Sequence, residues 1–394
     1  MKGMNKMKHT VILIPLDNYE QPNVDAAVAQ GLSLLGGIEN IIGKEEKVLL
    51  KPNLLARALP QKAITTHPAV FSAVCKVLKE NGYAHVSYGD SPGNPTTTPE
   101  KAAETCGIAA EARKWDVPAG EFNTGSVVHF PEGETCKSFY LCKAVQDADA
   151  LVNICKMKTH ALERITGAVK NMYGCITGVN KATGHAHYPN SEIFADMLAD
   201  LNLCVNPRLH IMDGVVAMEG NGPSSGTPVN MNVLLLSLDP VALDSVYAGL
   251  IHLDPHQVPT CVSAARAGLG VMEYDEMAIL TPDGEITMDE AREKYGKKDF
   301  DVFRGEMKKS LLAKLMPLLP FLQHRPKADM KKCIACGVCE ESCPVPEKAV
   351  HAGNGQKAKY DYKKCIRCYC CQEMCPAKAI EVYRSPLNKL LGGK

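Results

Sequence analysis

Two cysteine runs near the C-terminus constrain this chain more than anything else in it. Cys333, Cys336, Cys339 and Cys343, followed by Pro344, have the spacing C-x2-C-x2-C-x3-C-P, and Cys365, Cys368, Cys371 and Cys375, followed by Pro376, repeat it. Three thiolates spaced by two residues converge from one tight loop on one face of a cubane iron–sulfur cluster. Zinc also uses C-x2-C pairs, but it takes its four ligands as two pairs and has no use for a third cysteine at the same spacing.

This repeated run resembles that of the bacterial two-cluster ferredoxins, in which the fourth cysteine is carried away by the following turn and ligates the other cluster. The expected ligand sets are therefore Cys333, Cys336, Cys339 with Cys375, and Cys365, Cys368, Cys371 with Cys343, for two [4Fe–4S] clusters. Cys370 is out of register and reads as a packed thiol near a cluster. From position 329 to 384 there are ten Lys/Arg and seven Asp/Glu. Two oxidised cubanes bring about −2 each, so this basic excess offsets cluster charge and need not mark a nucleic-acid site.

The remaining eight of the 17 cysteines are scattered. Cys155 and Cys175 flank a Lys/His group, with His185 and His187 nearby, yet only His185-x-His187 has metal spacing. Buried cysteines are common small hydrophobes, and a further metal is not expected. With 394 residues, 22% charged and 45% hydrophobic, the chain can bury a sizeable core, and two or three domains are expected. Basic and acidic residues balance at 44 each, which argues against a nucleic-acid binder held by bulk positive charge. The short apolar stretch 11–16 is soon followed by Asp17 and Glu20, so it reads as a first strand rather than a signal segment. No run approaches the length of a spanning helix. A reducing compartment, the cytoplasm, is expected.

From about 11 to 303, short apolar runs alternate with helical stretches. Strands are expected at 11–16, 47–50, 85–88, 150–154, 209–212 and 233–237, a helix at 68–81, a helix opening at Cys261, and a hairpin around Pro282-Asp283-Gly284. The fold class this defines is an α/β front domain with a largely parallel sheet, followed by a small α+β ferredoxin-like dicluster domain. The expected domains are 1–305 and 328–384, joined by a linker or helical connector at 306–327 and ending in a tail at 385–394. The apolar stripe within 308–322 fits packing between two domains better than contact with a membrane surface.

Polar clusters sit where inferred strands end, the edge along which a parallel sheet gathers its ligand site. They are Lys51-Pro52-Asn53, Thr66-His67-Pro68, Gly89-Asp90-Ser91-Pro92-Gly93, Lys156 with Lys158-Thr159-His160, Thr166-Gly167 with Lys170-Asn171, and Glu219-Gly220-Asn221-Gly222-Pro223; Asp239-Pro240 and Asp244 follow. Over about 47–253 these residues resemble the DUF362 family. That resemblance implies an architecture and a pocket but no substrate. Lysines there are point charges for a carboxylate or phosphate, and histidine moves a proton near neutral pH. Lys158, His160 and Lys170 are the candidate catalytic residues. Lys51, Asn53, His67, Asp90, Asn171 and Glu219 are the candidate substrate-binding residues, with Asp90 and Glu219 expected to orient the cations.

The expected function is electron transfer through two clusters, with a front domain that binds a small anionic substrate or a redox partner protein. The alternative is a reductase of a small carboxylate- or phosphate-bearing substrate, with the tail as its internal wire. No Gly-x-Gly-x-x-Gly follows the first strand, so no nicotinamide site is indicated. A flavin is compatible with the sequence but not indicated by any motif.

Overall fold

The computed structural model describes residues 9–93, 97–178, 181, 184, 187–188, 190–305 and 324–383. The apolar stripe 308–322, most of the expected connector, the tail 385–394 and His185 lie outside the described residues.

The front domain contains β1 (Thr10–Pro15), β2 (Val48–Pro52), β3 (Val86–Tyr88), β4 (Gly125–His129), β5 (Ser138–Cys142), β6 (Ala150–His160), β7 (Arg164–Thr166), β8 (Leu209–Glu219), β9 (Thr227–Ser237), β10 (Ala278–Thr281) and β11 (Gly284–Ile286). A nine-stranded sheet runs in the order β11-β10-β1-β9-β8-β6-β2-β3, with β7 on β6. β3, β2, β6 and β8 are mutually parallel, β10 is parallel to β1, and β9 enters antiparallel between β1 and β8. The front domain is thus an α/β layer on a mixed, mostly parallel sheet. β4 and β5 form a separate hairpin.

Both faces of the sheet are covered, which is why its strands read as near-continuous apolar runs. Ile12, Ile14, Leu234 and Leu236 face one core with Val24, Val28, Val70 and Phe71. The alternate residues Val11, Leu13, Val233 and Leu235 face another with Leu243, Val246 and Tyr247. Helix Pro68–Glu80 starts where Pro68 supplies a preset first turn and His67 Nδ1 accepts from the Ala69 amide at 3.2 Å. Helix Pro240–Leu250 is capped by Asp239, which accepts from Val241 and Ala242 at 2.8 and 2.9 Å.

The strands β6, β8 and β9 are each 11 residues long, well beyond the expected 150–154, 209–212 and 233–237. All 11 residues of β6 are buried, including Lys156, Lys158 and His160. Alternation along a strand puts these three on one face.

Residues 325–383 fold as a small α+β unit. β12 (Arg325–Ala328) pairs with β15 (Ile380–Tyr383), and β13 (Val350–Gly353) pairs with β14 (Gln356–Tyr360), all antiparallel. Short helices Val338–Glu341 and Cys370–Glu373 follow the two cysteine loops.

Candidate functional site

Each cysteine loop turns through left-handed residues at matching positions: Ala335 and Gly337 in the first, at φ 55° and 82°, and Arg367 and Tyr369 in the second, at 60° and 62°. Left-handed conformation curls a short segment sharply back on itself, bringing side chains two apart onto one side. Cys333, Cys336, Cys339 and Cys375 line one small cavity, walled by Ile334, Ala358 and Ile380. Cys343, Cys365, Cys368 and Cys371 line a second, walled by Val345, Tyr360 and Tyr369. Among the described residues no three His, Cys, Asp or Glu side chains close on the point a single ion would occupy. Four thiols in an apolar pocket, three of them from one C-x2-C-x2-C loop, are a donor set that fits an iron–sulfur cluster.

A larger cavity, about 810 Å³, lies between the two halves of the molecule. The front domain lines it with Asn53, Asp90, Lys158, Lys170, Asn171 and Lys181, and the dicluster unit with Glu341, Ser342, Cys370, Glu373 and Met374. The halves are joined around it. His160 Nε2 meets Glu373 Oε1 at 2.5 Å, and the Ser224 hydroxyl donates to the Glu373 carbonyl. Gln372 Nε2 donates to the Asn221 and Gly222 carbonyls at 3.0 and 3.2 Å, and Asn221 Nδ2 to the Ile380 carbonyl at 3.1 Å. The glycine-rich segment 219–223 therefore serves to dock the cluster unit.

Lys158 is held by neutral acceptors. Its ammonium donates to Asn53 Oδ1 at 3.0 Å and to the Ile64 carbonyl at 2.8 Å. Asn53 Nδ2 donates to Asn171 Oδ1 at 2.8 Å, Asn171 Nδ2 to Asn153 Oδ1 at 2.8 Å, and Asn153 Nδ2 to the Ala168 carbonyl at 2.9 Å. This chain of amides has one consistent direction and fixes where the lysine sits. Two of the three ammonium hydrogens are used, which leaves one for a ligand. Burial, and then repulsion from Lys170, lowers Lys158 from 10.5 to about 7. Lys170 lies over the Tyr173 and Phe194 rings at 5.9 and 5.6 Å. Among the described residues neither lysine is paired with a carboxylate. Lys181 donates to the Ser91 carbonyl, and burial lowers it to about 8.

Other candidates are placed differently. Lys51 is fully buried and paired with Asp90 at 2.8 Å, so it stands behind the cavity wall and holds that carboxylate. His160 is also behind the wall, reaching it through Glu373. Its Nδ1 accepts from the Leu162 and Glu163 amides at 3.1 and 3.0 Å, which leaves the proton on Nε2, toward Glu373. Burial, then Lys170, lowers it to about 4, so it is neutral at physiological pH.

Two expectations need correction. His67 does not join the lysines at the cavity: it caps its helix, stacks on Tyr19 at 3.5 Å, and its amide donates to Asp213 at 2.9 Å. Asp213 in turn pairs with Lys156 at 2.6 Å. Among the described residues Glu219 pairs with no cation. It accepts from the Asp301 amide at 2.9 Å, because β8 runs on to that residue and brings it against the segment that follows helix Met288–Tyr295. Lys181, Tyr173 and Glu373 line the cavity without having been singled out. None sits beside an inferred strand end, so the signal that found the others passes over them. Cys155 and Cys175 are both buried in apolar cores.

Four-cysteine pockets of this kind, carried by a small α+β unit, define a [4Fe–4S] protein of electron transfer built onto an α/β domain. Residues 325–376 match the model of a 4Fe-4S dicluster domain, and residues 48–249 that of a domain of unknown function, DUF362. The chain belongs to the DUF362 family. It is 33% identical over 284 residues to a thylakoid-associated protein of Synechocystis sp., covering 72% of this chain and 87% of that one. Among solved structures, it is similar to a lactate racemase apoprotein from Thermoanaerobacterium thermosaccharolyticum, with TM-score 0.37 and 15% identity over 59% of this chain and 55% of that one. It is also similar to a structural-genomics protein of Thermotoga maritima, with TM-score 0.35 and 13% identity over 63% and 60%. Among the described residues no helix is long and apolar enough to cross a membrane.

Proposed function

We propose that this protein is an iron–sulfur reductase of a small anion, in which two clusters feed electrons into the cavity between the halves. The observation that carries the reading is that one cavity is walled by Lys158 and Lys170 on one side and by the second cluster loop on the other. When bound, the clusters supply single electrons, one at a time, at the low potentials usual for ferredoxins.

The chain's own residues supply the rest. Lys158 and Lys170, without carboxylate partners among the described residues, attract a carboxylate or phosphate and lose their mutual repulsion when it arrives. Lys158 keeps one N–H for the ligand and, with its pKa near neutrality, donates a proton to the substrate as charge builds there. Lys51 neutralises Asp90, so that this carboxylate does not repel the anion. Glu373, held by His160 and Ser224, keeps the cluster loop against the cavity. Sensitive clusters and free thiols call for a reducing compartment, the cytoplasm.

Anaerobically prepared protein should hold about eight iron and eight sulfide per chain, and a yield near four after full reconstitution would overturn the two-cluster assignment. Oxalate and inorganic phosphate titrated into that protein should bind, and Lys158→Ala should weaken the better ligand by about tenfold or more with iron unchanged. If neither anion binds the wild-type protein, the anion site is wrong.

A further inference from the structure

The two cluster pockets are not equivalent in their surroundings. The second is enclosed: Cys368, Tyr369 and Cys371 are 8%, 6% and 7% exposed, and the neighbouring Cys370 faces the interdomain cavity. The first opens outward. Cys336 is exposed, and Ile334, which walls that pocket, is itself 65% exposed. Met330, at the start of the same loop, is 47% exposed. An isolated exposed apolar residue needs no explanation. Here two of them sit together on the loop that wraps a redox centre.

Among the described residues, the charges around this tip that are outside ion pairs have one sign. Lys327, Lys331 and Lys357 are exposed, and the Lys357 ammonium donates to the Met330 carbonyl at 2.5 Å, which brings it against the tip. The nearby acids are already engaged. Glu381 and Asp329 pair with Lys332 at 3.0 and 3.7 Å, and Asp329 also accepts from the Lys331 amide at 2.8 Å. A small apolar centre with a basic rim matches a transient partner that is acidic, because such a rim steers encounter while the small apolar area keeps the complex short-lived.

We propose that the loop 330–336 is the electron port of the molecule and docks a small acidic electron-carrier protein. The inference rests on the electron-transfer part of the function above and is independent of the anion site. In the step, the reduced carrier would give up one electron, which the cluster that Cys333, Cys336, Cys339 and Cys375 would hold is there to accept. The carrier is oxidised by one electron, and no atom or proton is exchanged. The enclosed second pocket then stands between port and cavity, so the wire has a direction.

The test uses cluster-loaded protein and a flavodoxin, a small acidic one-electron carrier, as the probe. Binding is followed by biolayer interferometry at low and high salt. The expected result is an affinity that falls steeply with salt and drops about tenfold in both Lys331→Glu and Met330→Asp, but not in the control Lys363→Glu on the other cysteine loop. Acetylation footprinting of the unaltered protein supplies a second readout, in which flavodoxin should protect Lys331 and Lys357 and leave Lys363 reactive. Absence of binding, equal loss in the control, or protection of Lys363 in place of Lys331 would each overturn the port. Anion binding measured in the same Lys331→Glu protein should be unchanged, so failure of the port and failure of the anion site are told apart.

Discussion

Lys158 and Glu163 are buried ionisable groups displaced in opposite senses, and each makes a pH prediction. At pH 8 the ligand-free Lys158 amine, lowered to about 7, is mostly neutral. An anion at the cavity favours the charged form, so binding should take up a proton at pH 8 and almost none at pH 5.5. Calorimetry in two buffers of different ionisation enthalpy measures this uptake, and Lys158→Met should abolish it. Glu163 is fully buried, and among the described residues its carboxyl oxygens have no hydrogen-bond partner. Burial raises it from 4.5 to about 8. Between those values the folded chain keeps a proton that the unfolded chain has released, so stability falls as pH rises through the window. Glu163→Gln removes that dependence. Its melting temperature relative to the unaltered protein should therefore rise from pH 5 to pH 7, a window that ends where Lys158 begins its opposite contribution. A difference that stays constant across the window would show that Glu163 is ionised throughout.

At the scale of elements, the cysteine loops were legible because every ligand spacing lies within one short window and the left-handed turns follow from it. Gly337 meets nothing closer than 3.6 Å where a Cβ would sit, so only its φ of 82° demands glycine. Gly337→Val should cost about 1–2 kcal/mol and speed iron loss to a chelator, while Gly355→Ala at the β13–β14 turn should leave iron loss unchanged. The central strands were legible only in part. The apolar segment 150–154 announces β6, but beyond Ile154 the alternation of Lys156, Lys158 and His160 with Met157 and Thr159 reads as a loop or a half-exposed edge. Those residues stay in a buried strand because Asp213, Asn53 and Glu373 meet them from three distant parts of the chain. No local window contains that compensation. The same reasoning hid Glu373, whose role exists only once the two halves meet.

On the scale of the whole molecule, the expected connector 306–327 runs at its end into β12 (Arg325–Ala328), so protease cleavage is expected ahead of that strand. The halves should nevertheless co-elute after the cut, because Gln372, Asn221, Ser224 and His160 tie the cluster unit to the front domain. Asn221→Ala combined with Gln372→Ala removes two of those ties at about 1 kcal/mol each. The nicked double variant should then release a brown fragment of roughly seven kilodaltons on gel filtration, where the nicked unaltered protein does not. Separation of the unaltered halves would show that the shared wall contributes little. That shared wall also has a kinetic meaning. A separate ferredoxin must find its client by diffusion, so delivery slows on dilution. Here the second cysteine loop lines the cavity within the same chain, so in the proposed reading it is present there at an effective concentration on the order of millimolar, and passage of an electron across the wall would be a first-order event. Its rate should be the same in a dilute solution as in a crowded cell, leaving the encounter at the outer loop and the capture of the anion as the concentration-dependent stages.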